Sequence, residues 1–212
     1  MTGRERMRLL IERFRAIDPD PACELRHEDP FQLLVATILS AQCTDEQVNA
    51  ATPGLFAAYP DANALAEAPI AELERLVHST GFYRHKARHI RESARRIRDA
   101  FGGRVPDRME DLLSLPGVAR KTANVVLGNA FGVEDGIVVD THVLRLSRRL
   151  GFTSSRDPKR VERDLEAVTP REHRIALSHW LIRHGRRTCR ARRPACTDCL
   201  LADICPKTEV PT

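Results

Sequence analysis

Apolar residues recur at helical spacing along almost the whole chain, and only Ile137-Val138-Val139 reads as extended, too short to found a sheet. Met7, Leu10, Ile11, Phe14 and Ile17 fall at i, i+3, i+4, i+7 and i+10. Phe31, Leu34, Val35, Ile38 and Leu39 repeat the pattern after Asp29-Pro30, a capping residue followed by proline at the first helical position. Thr44 and Gln47 have the spacing of a capping box. Further helices are expected over 61–67, 70–78, 84–101, 107–114, 120–131, 141–150, 158–168 and 170–184. Asp157-Pro158 and Thr169-Pro170 read as starts, and Gly185 reads as the end of the last helix. Loops are expected at Gly102-Gly103 and from Gly132 to Gly136. The expected fold class is all-α.

A chain of 212 residues can bury a sizeable core, as one large domain or two small ones. No apolar run reaches the length of a membrane span. The N-terminal stretch is Arg-rich and amphipathic, but Glu5, Glu12 and the lack of serine are unlike a transit peptide, and no secretory apolar core follows. A cytoplasmic protein is expected. Net charge is +5, and its distribution says more than its size. Between Arg171 and Cys196 stand eight arginines (171, 174, 183, 186, 187, 190, 192 and 193) against the single acid Glu172. This is a surface for an anionic partner, or else a solvated Arg-rich face.

Only Lys86, Lys121, Lys159 and Lys207 among the 34 basic residues are lysines. A guanidinium cannot lose its proton, whereas a lysine becomes a nucleophile once desolvated or held in positive potential. Lys121 lies in Leu115-Pro116-Gly117-Val118-Ala119-Arg120-Lys121-Thr122-Ala123, between the helices expected at 107–114 and 120–131. The three pieces make a helix-hairpin-helix, whose second helix turns Ala123, Val126, Leu127 and Ala130 inward. Gly117 suits the non-standard backbone of the turn. Amides at such a turn and helix start bind phosphate without reading sequence. An ordinary αα-corner would have the same local pattern.

Asp140, in Val139-Asp140-Thr141-His142, heads the next helix. A helix of this length carries the chain ~15 Å away from Lys121, and residues 132–139 span up to ~27 Å, enough to return. Asp140 is thus either a plain N-cap or a carboxylate brought to the lysine, and a cap fixes a carboxylate's direction for both. Cys189, Cys196, Cys199 and Cys205 give C-x6-C-x2-C-x5-C, which reads as metal ligation. Zinc and a [4Fe–4S] cluster both accept four thiolates. Cys23 and Cys43 stand apart as reduced thiols. The loop between the first two ligands carries Arg190, Arg192 and Arg193.

These motifs, with SAQCTD at 40–45 and GFYRHKA at 81–87, resemble the bacterial endonuclease III family over about residues 4 to 206. The resemblance implies a bifunctional DNA glycosylase/AP lyase that removes oxidised pyrimidines from duplex DNA, acting as a monomer. It implies an all-α, two-domain fold: a six-helix barrel over 22–133, with the helix-hairpin-helix at about 107–131, and a discontinuous domain of 1–21 and 134–212 carrying a [4Fe–4S] cluster on the four cysteines. Lys121 would attack the sugar and Asp140 would assist. Gln42 would fill the space left by the flipped nucleotide and Phe82 would wedge between bases. Gly117, Ala119, Arg120, Thr122 and His142, with Arg190, Arg192 and Arg193, would contact DNA.

Three positions depart from the family pattern. Ala119 stands where glycine is usual, and a left-handed backbone there would cost about 1 kcal/mol. Phe82 is bulkier than the usual aliphatic wedge, and Cys43 replaces an alanine. The nearest rival is an adenine-mismatch glycosylase, which usually lacks the lysine and carries a further C-terminal domain, whereas seven residues follow Cys205 here. A non-catalytic DNA-binding or redox module on the same scaffold is the rival from another class.

Overall fold

The computed structural model describes residues 1–134 and 136–210 and is helical, with no β-strand among them. The described part of loop 132–136 leaves out Asp135. Pro211 and Thr212, the end of the expected cluster domain, likewise lie outside the described residues. The chain forms two compact units, one of residues 23–132 and one of 1–22 with 133–212.

The discontinuous unit opens with α1 (Gly3–Ile17), whose N-cap Thr2 and N3 residue Glu5 form a reciprocal capping box. Met7, Leu10, Ile11 and Phe14 are buried as expected, but Ile17 is 66 % exposed: the helix ends there, and the stripe runs out into solvent.

In the continuous unit, α2 (Pro30–Leu39) starts on Asp29, whose side chain accepts from the Gln32 amide at 2.8 Å. It is buried all round: Leu33, Ala36 and Thr37 join the expected apolar face, as befits a central helix. α3 (Asp45–Ala58) has only half of its expected box. Thr44 accepts from the Gln47 amide, while the Gln47 side chain takes the Cys43 thiol at 3.4 Å. There follow α4 (Ala62–Glu67), α5 (Ile70–Leu76), a 3₁₀ turn at His78–Thr80, and α6 (Tyr83–Phe101). α4 and α5 pack on α6. α7 (Met109–Leu113) and α8 (Arg120–Phe131) pack on each other, and α8 also lies on α2.

The discontinuous unit resumes with α9 (Thr141–Arg149), α10 (Pro158–Glu166) capped by Asp157, a 3₁₀ turn at Arg171–His173, and α11 (Arg174–Arg187). Thr169 does not cap the helix after it; its hydroxyl donates back to Leu165 O at 2.7 Å, and Pro170 begins the 3₁₀ turn. Gly185 does not end α11, which continues to Arg187. It is buried against α9, where a β-carbon would come within 2.9 Å of the His142 β-carbon. The glycine is there for close helix approach, not for a turn.

α1 is sewn into this unit by residues far along the chain. Phe14 stacks on Trp180 at 5.9 Å between ring centroids, and Trp180 Nε1 donates to Asp18 O at 2.9 Å. Arg13 forms a two-pronged pair with Asp203 and donates to Leu200 O. Arg183 bridges Asp18 and Ala22 O. No helix is long and apolar enough to cross a membrane among the described residues.

Candidate functional site

Two sets of residues matter, one in each unit. In the continuous unit α7, the turn and α8 form the hairpin. Gly117 takes φ +78°, a left-handed backbone that favours glycine, and its face is covered by His89 of α6. A β-carbon on Gly117 would meet the His89 ring at 2.8 to 2.9 Å. Ser93, one turn further along α6, donates to Pro116 O at 2.7 Å and fixes the turn from behind. Ala119 is extended, φ −96° and ψ 171°, so the strain expected of an alanine at a left-handed position does not arise. The left-handed residue of this turn is Gly117.

Among the described residues no side chain caps α8. Its start is therefore ready for an outside acceptor, the arrangement that binds phosphate. Arg120 and Lys121 are exposed in its first turn, and Thr122 is half-buried. Ala123, Val126 and Leu127 are buried, while Ala130 is only half-buried.

Gln42 and Phe82, expected at loop tips, share an unusual backbone. Both are left-handed, at φ 52° and 48°, and Phe82 is 66 % exposed. A bulky residue in this region is strained by about 1–3 kcal/mol and persists only where its surroundings hold it.

In the discontinuous unit, Asp140 caps α9. Its Oδ1 accepts from the amides of His142 and Val143, both at 2.8 Å. Oδ2 has no protein partner among the described residues, so the cap orients the carboxylate and leaves one oxygen available. His142 is half-buried; burial pushes its pKa down, against the pull of Asp140. The neutral ring accepts from Arg145 at Nδ1, 3.1 Å away. Arg145 also donates to Gly185 O and Cys189 O, each at 3.0 Å. Asp140, His142 and Arg145 thus form a connected run along α9 that crosses to Cys189, just past the end of α11.

All four expected ligands line one cavity of about 30 Å³, closed by Leu146, Leu150, Pro194, Ala195, Leu201 and Val210. Among the described residues no three acidic, His or Cys groups converge tightly enough for a single ion. Four thiols around a shared cavity are a donor set that either a zinc ion or a [4Fe–4S] cluster accepts. Backbone amides support this donor set: Leu201 N and Lys207 N each donate at 3.4 Å, to Cys199 Sγ and Cys205 Sγ. Burial pushes the thiols of Cys199 and Cys205 up, so thiolates here need a cationic centre.

Arg149, 4 % exposed, reaches into the same loop. Its Nη1 donates to Cys189 Sγ at 3.3 Å and Arg190 O at 2.8 Å, and its Nη2 to Ala191 O at 2.7 Å. The loop is clamped by its carbonyls, and the side chains of Arg190, Arg192 and Arg193 remain exposed. Sequence reading passed over Arg145, Arg149 and Lys86. The spacing of 142, 145 and 149 on one face of α9 was the available signal for the first two.

Residues 35–171 match the family described as HhH-GPD superfamily base excision DNA repair protein. The endonuclease III of Synechocystis sp. is 56 % identical over 191 residues, covering 90 % of this chain and 87 % of that protein. That of Escherichia coli K12 is 41 % identical over 203 residues, covering 94 % of each. A solved non-covalent endonuclease III–DNA complex and a trapped endonuclease III–DNA covalent intermediate each superpose with a TM-score of 0.91 at 42 % identity, covering 98 % of this chain and 97 % of the other.

Proposed function

Because the chain belongs to the HhH-GPD superfamily, and within it to the endonuclease III family, we propose that Lys121 is its nucleophile and Asp140 the carboxylate that assists it. The protein is a base-excision-repair DNA glycosylase and AP lyase, acting on oxidised pyrimidines in duplex DNA as a monomer in the bacterial cytoplasm. The observation that carries this reading is the exposed Lys121 amine on the uncapped start of α8, in a chain whose relative has been trapped covalently on DNA.

The chemistry follows from the residue types. The hairpin amides with Gly117, Ala119, Arg120 and Thr122 hold the backbone phosphates, and Arg190, Arg192 and Arg193 add a second cationic contact. Gln42 and Phe82, already in their strained tip conformations, enter the stack as the damaged nucleotide swings out. Docked DNA covers the Lys121 amine. The nitrogen lone pair forms a bond to C1′, and the bond from C1′ to the base breaks with its electrons leaving on the base. Asp140 Oδ2 stabilises the positive charge that gathers on the sugar during this exchange. The C1′–O4′ bond then breaks, O4′ takes up a proton from the nitrogen, and an imine remains on Lys121; loss of a C2′ proton expels the 3′ phosphate and cuts the strand. Only an amine forms the imine, which is why arginine cannot serve at 121.

Cys189, Cys196, Cys199 and Cys205 would hold a [4Fe–4S] cluster. When bound, it fixes the fold of the 189–205 segment, and with it the basic loop.

The test is borohydride trapping on a duplex with an abasic site. Wild type gives a covalent adduct and Lys121→Ala gives none. No adduct with wild type would make the chain a binding module.

A further inference from the structure

Lys86 is the one buried lysine of the four, 4 % exposed on the first turn of α6. Burying an ammonium is costly, so its place needs a reason. It grips one short turn at two points. Its backbone amide donates to Phe82 O at 3.2 Å, and its Nζ donates to Thr80 O at 2.6 Å. Between those two carbonyls lie Gly81 and Phe82, both at positive φ, 67° and 48°. Thr80 is itself buried, its hydroxyl tied to Val77 O at 2.8 Å. Burial pushes the ammonium's pKa down. The buried cation therefore lies beneath the turn that carries Phe82.

We propose that Lys86 is a positioning residue for nucleotide extrusion: its ammonium, bonded to the Thr80 carbonyl, locks the turn that presents Phe82. The inference rests on the assignment of Phe82 as the wedge. A bulky residue at positive φ relaxes unless its flanks are held, and a relaxed turn would withdraw the ring from the base stack. The amine takes no part in bond making, since it points into the protein. Its contribution falls on the opening of the duplex and not on the chemistry at C1′.

The test uses the full-length protein with Lys86→Met, Phe82→Ala and the double variant, in single-turnover excision of dihydrouracil. The lesion is placed opposite adenine, where a pair must be broken, or opposite an abasic analogue, where it is already unpaired. Lys86→Met is expected to slow excision about ten-fold or more from the paired site and under about three-fold from the unpaired one, because opening costs least where no pair has to be broken. The double variant is expected to be no slower than the slower single variant, the non-additivity of two groups that act as one. Equal slowing on both duplexes, or additive effects with Phe82→Ala, would overturn the proposal. Lys86→Gln is run in parallel, and loss of folding in both variants would make Lys86 a core residue only and would also overturn it. Wild type that excises from neither duplex would instead remove the assignment of function.

Discussion

Gly185 and His142 lie so close that a β-carbon on the glycine would fall 2.9 Å from the β-carbon of the histidine. This approach sets how near α11 stands to the start of α9, and hence to the Asp140 cap. Gly185→Ala is expected to destabilise the protein by about 1–3 kcal/mol through overpacking. It should slow excision more than it weakens DNA binding. Urea unfolding and single-turnover kinetics on one preparation check both.

Asp140 has two duties that one substitution separates. Asparagine caps a helix about as well as aspartate, so Asp140→Asn should unfold close to wild type. With no negative charge beside the sugar, its excision rate is expected to drop by about 10²–10³. Asp140→Ala loses the cap as well, at about 1 kcal/mol. Excision by Asp140→Asn at the wild-type rate would leave only the cap.

Restoring glycine at 119 should bring no gain. Ala119 is extended at the N-cap of α8, where the preference for glycine over alanine offsets the looser unfolded chain, so Ala119→Gly should leave stability within about 0.5 kcal/mol. Its affinity for DNA should be unchanged. Gly117→Ala meets both a left-handed backbone and the His89 ring, and should weaken binding to undamaged duplex. Fluorescence anisotropy titrations distinguish the two.

Protein purified without oxygen should be brown and contain iron with inorganic sulfide; colourless protein with one zinc would reverse the cofactor reading. Alanine at Arg190, Arg192 and Arg193 together should flatten the salt dependence of DNA binding, by up to about 0.9 in slope for each phosphate no longer neutralised. An unchanged slope would put the loop away from DNA.

Acid should weaken the fold well above the carboxylate range. Burial first, and Arg183 next, push His179 from 6.5 down to about 4. The unfolded chain takes up this proton at the higher pH. The His179 contribution is therefore fully present above 6.5, declines as pH falls, and is gone below about 4. The decline should reach about 2–3 kcal/mol, read by urea unfolding from about pH 7 to pH 4.5. His179→Gln should flatten that slope.

What the sequence announced and what it hid divide on physical lines. Asp29-Pro30, Asp157-Pro158 and Asp140 head their helices as read, because capping needs only the residue and the few amides after it. The four cysteines were legible by spacing, though not the apolar cavity they share. Gly185 was misread because a glycine at a helix end and one at a helix crossing look alike along the chain. Thr169 was misread because a hydroxyl can turn back as readily as forward. Lys86 and Arg149 were passed over because a buried cation is defined by the carbonyls that receive it. For Arg149 those carbonyls lie 41 and 42 positions away. Ala119 needed its φ angle before its departure from pattern could be judged harmless.

Trp180 is joined to Asp18 across 162 positions of chain, and this has a consequence for birth on the ribosome. At roughly 5–20 residues per second, α1 emerges some ten to thirty seconds before the indole that will cover Phe14 has been synthesised. The apolar stripe of Met7, Leu10 and Phe14 must wait outside the ribosome without its cover, a site for a chaperone, while residues 23–132 are made. A nascent chain stalled before α9 would therefore carry a complete hairpin tethered to an orphan helix, since every residue that covers α1 comes later.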